Sequence, residues 1–178
     1  KYSPKSPADG LEAGIGLIPE DRKAQGCVLS LTIRENIVYS ILKKISKVSV
    51  VQKKQEKEIV DQYIKELNVK TPSPEQLVKN LSGGNQQKVV LAKALATNCE
   101  ILIFDEPTVG LDPKQILEIR DLIRELSEKH TILLSSHIMQ EVSAVCNEII
   151  IINEGKMIVK DKPENISAHI EQTHELTM

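Results

Sequence analysis

Two stretches of this 178-residue chain carry residue types suited to phosphate chemistry. The first is Leu81-Ser82-Gly83-Gly84-Asn85-Gln86-Gln87-Lys88, where two adjacent glycines stand just ahead of a helix-forming run, Gln86 to Ala96. Glycine lets backbone N–H groups come close to an anion, and a helix N-terminus adds partial positive charge. The second is Ile101-Leu102-Ile103-Phe104-Asp105-Glu106-Pro107-Thr108, a short apolar strand ending in two consecutive carboxylates. Such a strand can deliver one acid to a metal-bound phosphate and a second to an attacking water. Adjacent acids after a strand can also cap a helix, a reading that Pro107 disfavours.

A complete nucleotide site also needs G-x-x-x-x-G-K-[ST], whose amides cradle phosphates and whose hydroxyl reaches Mg²⁺. Of the eight glycines only Gly155 precedes a lysine, and Met157 then stands where Ser or Thr is required. The chain begins at Lys1 rather than Met. The expectation is a fragment whose upstream part held that loop.

The elements that must position these residues follow from local pattern. Ser6-Pro7 reads as an N-cap with proline at the first helical position, closed by Gly14. Ile15 to Ile18 reads as a strand leading into Pro19-Glu20-Asp21-Arg22 and a polar loop through Gly26. Thr32-Ile33-Arg34-Glu35 has capping-box spacing and predicts a helix to about Ile45. A second helix is predicted over Gln52 to Leu67, broken before the glycine pair by Thr71-Pro72-Ser73-Pro74. Beyond residue 100 the pattern alternates: strand 101–104, helix 114–128, strand 131–135, helix 138–146, strand 148–153. Repeated βα units favour a mostly parallel sheet covered by helices. Ile149 to Ile152 is continuously apolar, as a strand buried on both faces would be, and Glu154-Gly155 turns into a short strand near Lys156–Val159.

Composition narrows the class. A net charge of −2 gives no basic field for nucleic acid. One Phe, three Tyr and no Trp leave few platforms for stacking bases, so no nucleic-acid partner is expected. Cys27, Cys99 and Cys146 are widely spaced without C-x-x-C and read as reduced, buried thiols. No apolar run reaches the length of a membrane span and no signal-peptide pattern opens the chain, as in a cytosolic α/β body. Lys43, Lys44, Lys47, Lys53, Lys54 and Lys57 invite a membrane-surface reading, but with Glu56 and Glu58 interspersed they read better as a solvated face.

Together and in this order, the glycine-pair and double-acid stretches resemble the signature and Walker B motifs of ABC-type ATPases. The fold this implies is α/β: a partial P-loop NTPase fold, with a mostly parallel sheet flanked by helices and an inserted helical subdomain. Residues 1–178 would form a single incomplete domain. About 20–97 would be the helical signature subdomain, 1–19 and 98–160 the sheet core, and 161–178 a tail leaving it. The cofactors implied are ATP and Mg²⁺, with Asp105 holding the metal through water and Glu106 polarising the attacking water. Ser82, Gly83, Gly84, Asn85 and Gln86 would meet the γ-phosphate of a nucleotide held by the other domain of a head-to-tail pair. Val109-Gly110-Leu111-Asp112 matches the loop that crosses the pair, with Asp112 its acid. His137 follows strand 131–135. A lone His there is usually structural, but the resemblance makes it the switch histidine that contacts the γ-phosphate. Glu20 takes the place of the Q-loop glutamine, or is simply a solvated loop acid.

Residues 6–97 resemble the second ATPase domain of monosaccharide-importer subunits, whereas Thr108–Pro113, Ser136–Glu141 and the tail from Pro163 are similar to single-domain exporter-type subunits. The function implied is the ATP-hydrolysing subunit of an ABC transporter, peripheral on the cytoplasmic face of the membrane, with permease subunits as further partners and a monosaccharide as cargo. The alternatives are an exporter-type subunit, a non-transport ABC ATPase, and a non-catalytic partner that supplies only the signature face.

The isolated chain is expected not to hydrolyse ATP and to bind it weakly. Without the phosphate loop the triphosphate loses its amide cradle, a lysine and a Mg²⁺ ligand together, and one preorganised donor alone is worth about 3 kcal/mol. Calorimetry with a phosphate-release assay checks this. Micromolar binding with magnesium-dependent turnover would refute it.

Overall fold

The computed structural model describes residues 3–166, which fall in two units divided after Ser135. The first unit opens with α1 (Pro7–Glu12), started by a Ser6/Asp9 capping box. Gly14 (φ +76°) turns the chain into β1 (Ile15–Ile18). β1 pairs in parallel with β4 (Ile101–Asp105), which pairs in parallel with β5 (Thr131–Ser135), giving the order β1-β4-β5. The register aligns Ile18 with Phe104 and Leu134, and Asp105 with Ser135. One face of this sheet is core: Ile18, Leu102 and Phe104 are all but inaccessible. Against it lies α4 (Gly83–Leu95). A Cβ on Gly16 would meet Cys99 Sγ at 3.0 Å and Ala94 Cβ at 3.4 Å, so glycine there permits the close helix–strand approach. α5 (Pro113–Ser127) buries Ile119, Leu122, Ile123 and Leu126, an i, i+3, i+4, i+7 stripe. The opposite face stays open along an in-register row, Leu17–Ile103–Leu133, whose two leucines are each 57% exposed.

Between β1 and α4 the chain forms the helical part. Asp21 caps a π-helical turn, Arg22–Gly26, where the sequence predicts a plain polar loop. Thr32 and Glu35 complete the predicted capping box of α2 (Ile33–Val38), with Glu35 N–H on Thr32 Oγ1 at 3.1 Å and Thr32 N–H on Glu35 Oε2 at 2.8 Å. α2 stops earlier than expected. It tightens into a 3₁₀ turn, Tyr39–Ile41, and yields to a hairpin of β2 (Ser46–Lys47) and β3 (Val50–Val51). The hairpin turns through Val48 and Ser49, both with positive φ. α3 (Lys53–Glu66) agrees with the predicted second helix. Its Glu56 side chain, 4% exposed, accepts from Arg34 at 2.8 Å and Lys53 at 2.9 Å, while Arg34 also holds Glu75 in a two-pronged pair.

The second unit contains α6 (Met139–Val145), β6 (Ile149–Asn153) and β7 (Lys156–Asp161). β6 corrects the sequence reading: it pairs antiparallel with β7 in a sheet of its own, and Ile152 is 68% exposed. The two-residue turn Glu154-Gly155, with positive φ at both positions, returns the chain directly, and strands joined so tightly can pair only antiparallel. Of the predicted tail, residues 167–178 lie outside the described residues.

Burial alone would raise the Glu56 carboxyl, but hydrogen bonds from Lys53 and Arg34 outweigh it and hold it below its ordinary 4.5. A depressed folded pKa contributes stability above the unfolded value, and that contribution is lost as pH falls through the folded value. Glu56→Gln should therefore cost about 1–3 kcal/mol at pH 7. The gap from wild type should narrow only below pH 4.5. Urea midpoints of both proteins across this range measure it, and a gap independent of pH would contradict the ionic account.

Candidate functional site

Parallel strands in the order β1-β4-β5 bring their C-terminal ends to one edge, where open α/β sheets carry their chemistry. Glu20 lies exposed in the loop that leaves β1, and Asp105 ends β4. Glu106 follows with φ +43°, a left-handed conformation rare for glutamate and held by its surroundings. Its N–H donates to both Ser135 O and Ser135 Oγ, each at 3.2 Å. The Ser135 hydroxyl donates to Asp105 Oδ1 at 2.6 Å. A single serine at the end of β5 thus fixes the direction of both acids. Asp105 is exposed and Glu106 half-buried.

The glycine pair is reached through the next loop. The Arg22 guanidinium donates to Val109 O at 2.8 Å and to Gly110 O at 3.1 Å. Asp112 then caps α5, accepting from Gln115 N–H at 2.9 Å. Its other carboxylate oxygen accepts from Gln115 Nε2. Gln115 Oε1 in turn accepts the Gly84 N–H at 2.8 Å. α4 begins at Gly83, one turn earlier than the sequence predicts, because Ser82 is its N-cap. Both glycines therefore belong to the first helical turn. Neither has positive φ; close approach is what demands them. A Cβ on Gly83 would meet Arg22 at 2.9 Å and Leu111 at 3.2 Å, and one on Gly84 would meet Gln115 at 3.1 Å.

The remaining predicted residues divide by orientation. Ser82 is exposed, with Asn85 Nδ2 donating to its hydroxyl at 3.0 Å. Asn85 Oδ1 accepts the Lys70 N–H at 2.8 Å, tying the helix start to the end of the preceding segment. Gln86 is turned inward, donating at 3.2 Å to Val78 O and Leu81 O, and so supports the loop from beneath. His137 belongs to the second unit, exposed ahead of α6. Among the described residues no group of three or more His, Cys, Asp or Glu could hold a metal by itself. A cleft of about 510 Å³ lies among Arg34, Glu56, Val60 and Glu75, away from the acid edge.

The ABC transporter family matches residues 5–109, which hold the glycine pair and the acid pair alike. This chain belongs to the ABC transporter family. The ribose import ATP-binding protein RbsA of Clostridium perfringens is 44% identical over 153 residues, covering 84% of this chain and 30% of that protein. The RbsA of Bacillus licheniformis is 42% identical over 158 residues, 88% of this chain and 32% of that one. The chain thus spans about a third of the length of these relatives. Both alignments are longer than residues 6–97, so the likeness to import proteins runs into the second half. Among solved structures, cbiO1 of Clostridium perfringens, part of the ABC transporter complex cbiONQ, superposes with a TM-score of 0.78 at 25% identity, covering 99% of this chain and 67% of that one.

For an ABC domain, then, the sequence reading found both motifs but missed Ser135, Arg22 and Gln115. Ser135 stands two residues before His137 in Ser135-Ser136-His137, and its pairing with Asp105 depends on strand register, which spacing does not reveal. If the full-length protein hydrolyses ATP at this edge, Ser135→Ala should lower its turnover about tenfold while changing stability by no more than about 1.5 kcal/mol, the net worth of one hydrogen bond. Ser135→Thr, which keeps the hydroxyl, should restore most of the activity. Steady-state kinetics beside denaturation midpoints decide it; full turnover in the alanine variant would leave the hydroxyl without a role.

Proposed function

We propose that this chain is the signature-bearing and acid-bearing part of the ATP-hydrolysing subunit of an ABC importer, with a monosaccharide as cargo. The observation that carries the reading is the Asp105–Ser135–Glu106 arrangement at the sheet edge, in a chain 44% identical to a ribose import ATP-binding protein. Glu106 would accept the proton of the attacking water, and its left-handed backbone aims it independently of Asp105. Asp105 and the Ser135 hydroxyl offer hard oxygen donors. Mg²⁺ commonly takes one or two carboxylates plus water and substrate phosphates, so this donor set fits it without an all-protein cage. When bound, the ion would neutralise charge on the phosphates. Ser82, Gly83 and Gly84 would meet the γ-phosphate of a nucleotide held by a second domain, with Asn85 and Gln86 supporting them. Asp112 would set the crossing loop, Glu20 would reach metal or water from the end of β1, and His137 would contact the γ-phosphate.

The partners in this reading are a second ATPase domain, paired head to tail, and membrane permease subunits. The subunit would sit peripherally on the cytoplasmic face of the membrane. No helix of the described residues is long and apolar enough to cross it. In this reading residues 20–97 would form the helical signature subdomain and residues 1–19 and 98–160 the sheet core.

Two substitutions in the full-length protein test this. Glu106→Gln is nearly isosteric but cannot take a proton, so it should keep ATP binding and slow hydrolysis about 10²–10⁴-fold. Ser82→Arg should leave ATP binding to the domain's own phosphate loop unchanged and abolish ATP-driven pairing. Nucleotide affinity and paired fraction, measured side by side, decide. Lost affinity with pairing intact would place Ser82 in the cis pocket instead.

A further inference from the structure

The first turn of α4 is already occupied from within the chain. Gly84 is buried, and what covers it is Gln115: the amide oxygen accepts the Gly84 N–H at 2.8 Å, and the Gln115 side chain lies 3.1–3.3 Å from where a Gly84 Cβ would stand. The orientation of that amide is not arbitrary. Its NH₂ faces a carboxylate oxygen of Asp112, and its oxygen faces a backbone N–H. Turning it over would set donor against donor and oxygen against carboxylate. The carboxylate that fixes the amide also caps α5 and follows Val109 and Gly110, whose carbonyls are held by Arg22. Chain segments far apart in sequence thus converge on one N–H.

From this geometry we infer that Gln115 is a gate residue whose amide oxygen stands in for a phosphate oxygen at Gly84, and which must swing away before the signature turn can accept nucleotide. The inference rests on the proposed reading of Ser82–Gly84 as a phosphate-binding turn. An amide oxygen is a neutral acceptor, so a phosphate oxygen, charged and able to use neighbouring donors as well, can displace it. Asp112 is the hinge of the gate: a shift of the 109–112 loop releases Gln115 Nε2, and with it the constraint that keeps Oε1 on Gly84. Loop position and signature availability are therefore linked through one side chain.

The gate makes a prediction opposite in sign to that of a structural strut. If Gln115 merely braced α4 against α5, removing it would weaken pairing; if it occupies the site, removing it strengthens pairing. In the full-length protein with a non-hydrolysable ATP analogue, Gln115→Met and Gln115→Ala should each lower the nucleotide concentration for half-maximal pairing about three- to tenfold, the value of one net hydrogen bond. Nucleotide affinity of the unpaired domain should not move. Hydrogen exchange supplies a second measurement: without nucleotide, the Gly84 amide should exchange faster in both variants. Half-maximal pairing that is unmoved or shifted upward overturns the gate. Ser82→Arg separates the two levels of failure. Pairing that survives Ser82→Arg removes the phosphate reading and the gate with it, whereas pairing lost there but unmoved in both Gln115 variants removes the gate alone.

Discussion

α4 is buried around almost its whole circumference, and the rest of the first unit is arranged to make that burial tolerable. Ala94 meets the sheet at Gly16, Val90 packs where a Cβ on Gly26 would stand only 2.7 Å away, and Gln115 of α5 covers the first turn. A helix enclosed in this way cannot shed its polar side chains into solvent. Lys88 is satisfied by Asn68 O at 3.2 Å and by Glu118 at 3.6 Å. Lys93 donates to Gly26 O, and burial pushes its ammonium below the ordinary lysine range. Gln86 holds the loop that delivers Ser82. Leaving a buried polar group unpaired costs about 1–3 kcal/mol, so these partners pin the helix in rotation as well as in place. A helix fixed in rotation presents its N-terminus in one direction. That is how core packing reaches the signature turn.

The same logic governs the other end of the site. Asp105 and Glu106 are adjacent in sequence, and in a regular strand their side chains would point to opposite faces. The left-handed backbone at Glu106 breaks that alternation, and Ser135 holds the break through both its carbonyl and its hydroxyl. The constraint therefore comes from the β4–β5 register, which sets Asp105 opposite Ser135. A one-residue slip would remove the clamp and send the hydrophobic set of β5 to the wrong face.

Local chemistry made much of this legible in the sequence. The Ser6 N-cap, the Thr32 capping box, the helix beyond Pro113 and the apolar run ending at Asp105 each announce themselves within a few residues, and the structure has all four. What escaped was decided at longer range or against local preference. The hairpin after α2 turns through Val48 and Ser49, where a β-branched residue takes positive φ, so no Asn-Gly signal marks it. β6 has the continuous apolar sequence of an enclosed strand, but a two-residue turn commits it to β7 before any other partner. The thiols are a mixed case: all three are free, Cys27 and Cys99 are buried as expected, and Cys146 is only half-buried. Gln115 sits 31 residues beyond Gly84, and no spacing rule joins a glutamine in the first turn of one helix to a glycine in the first turn of another.

The open row Leu17–Ile103–Leu133 bears on the stability of the sheet that carries the acids. Parallel sheets occur almost only with both faces covered, because their crossover connections place helices on each side. Here α4 and the core occupy one face, while the row on the other stays accessible across all three strands. Full burial of a leucine contributes about 1.5–3 kcal/mol, so covering two that are 57% exposed would contribute a further few kcal/mol. Against a total stability of about 5–15 kcal/mol for a domain, that is a substantial share. The RbsA relatives are about three times as long as this chain. Packing further chain on that face would stiffen β4 and β5 from the side opposite α4, and with them the Asp105–Ser135 register on which the acid pair depends.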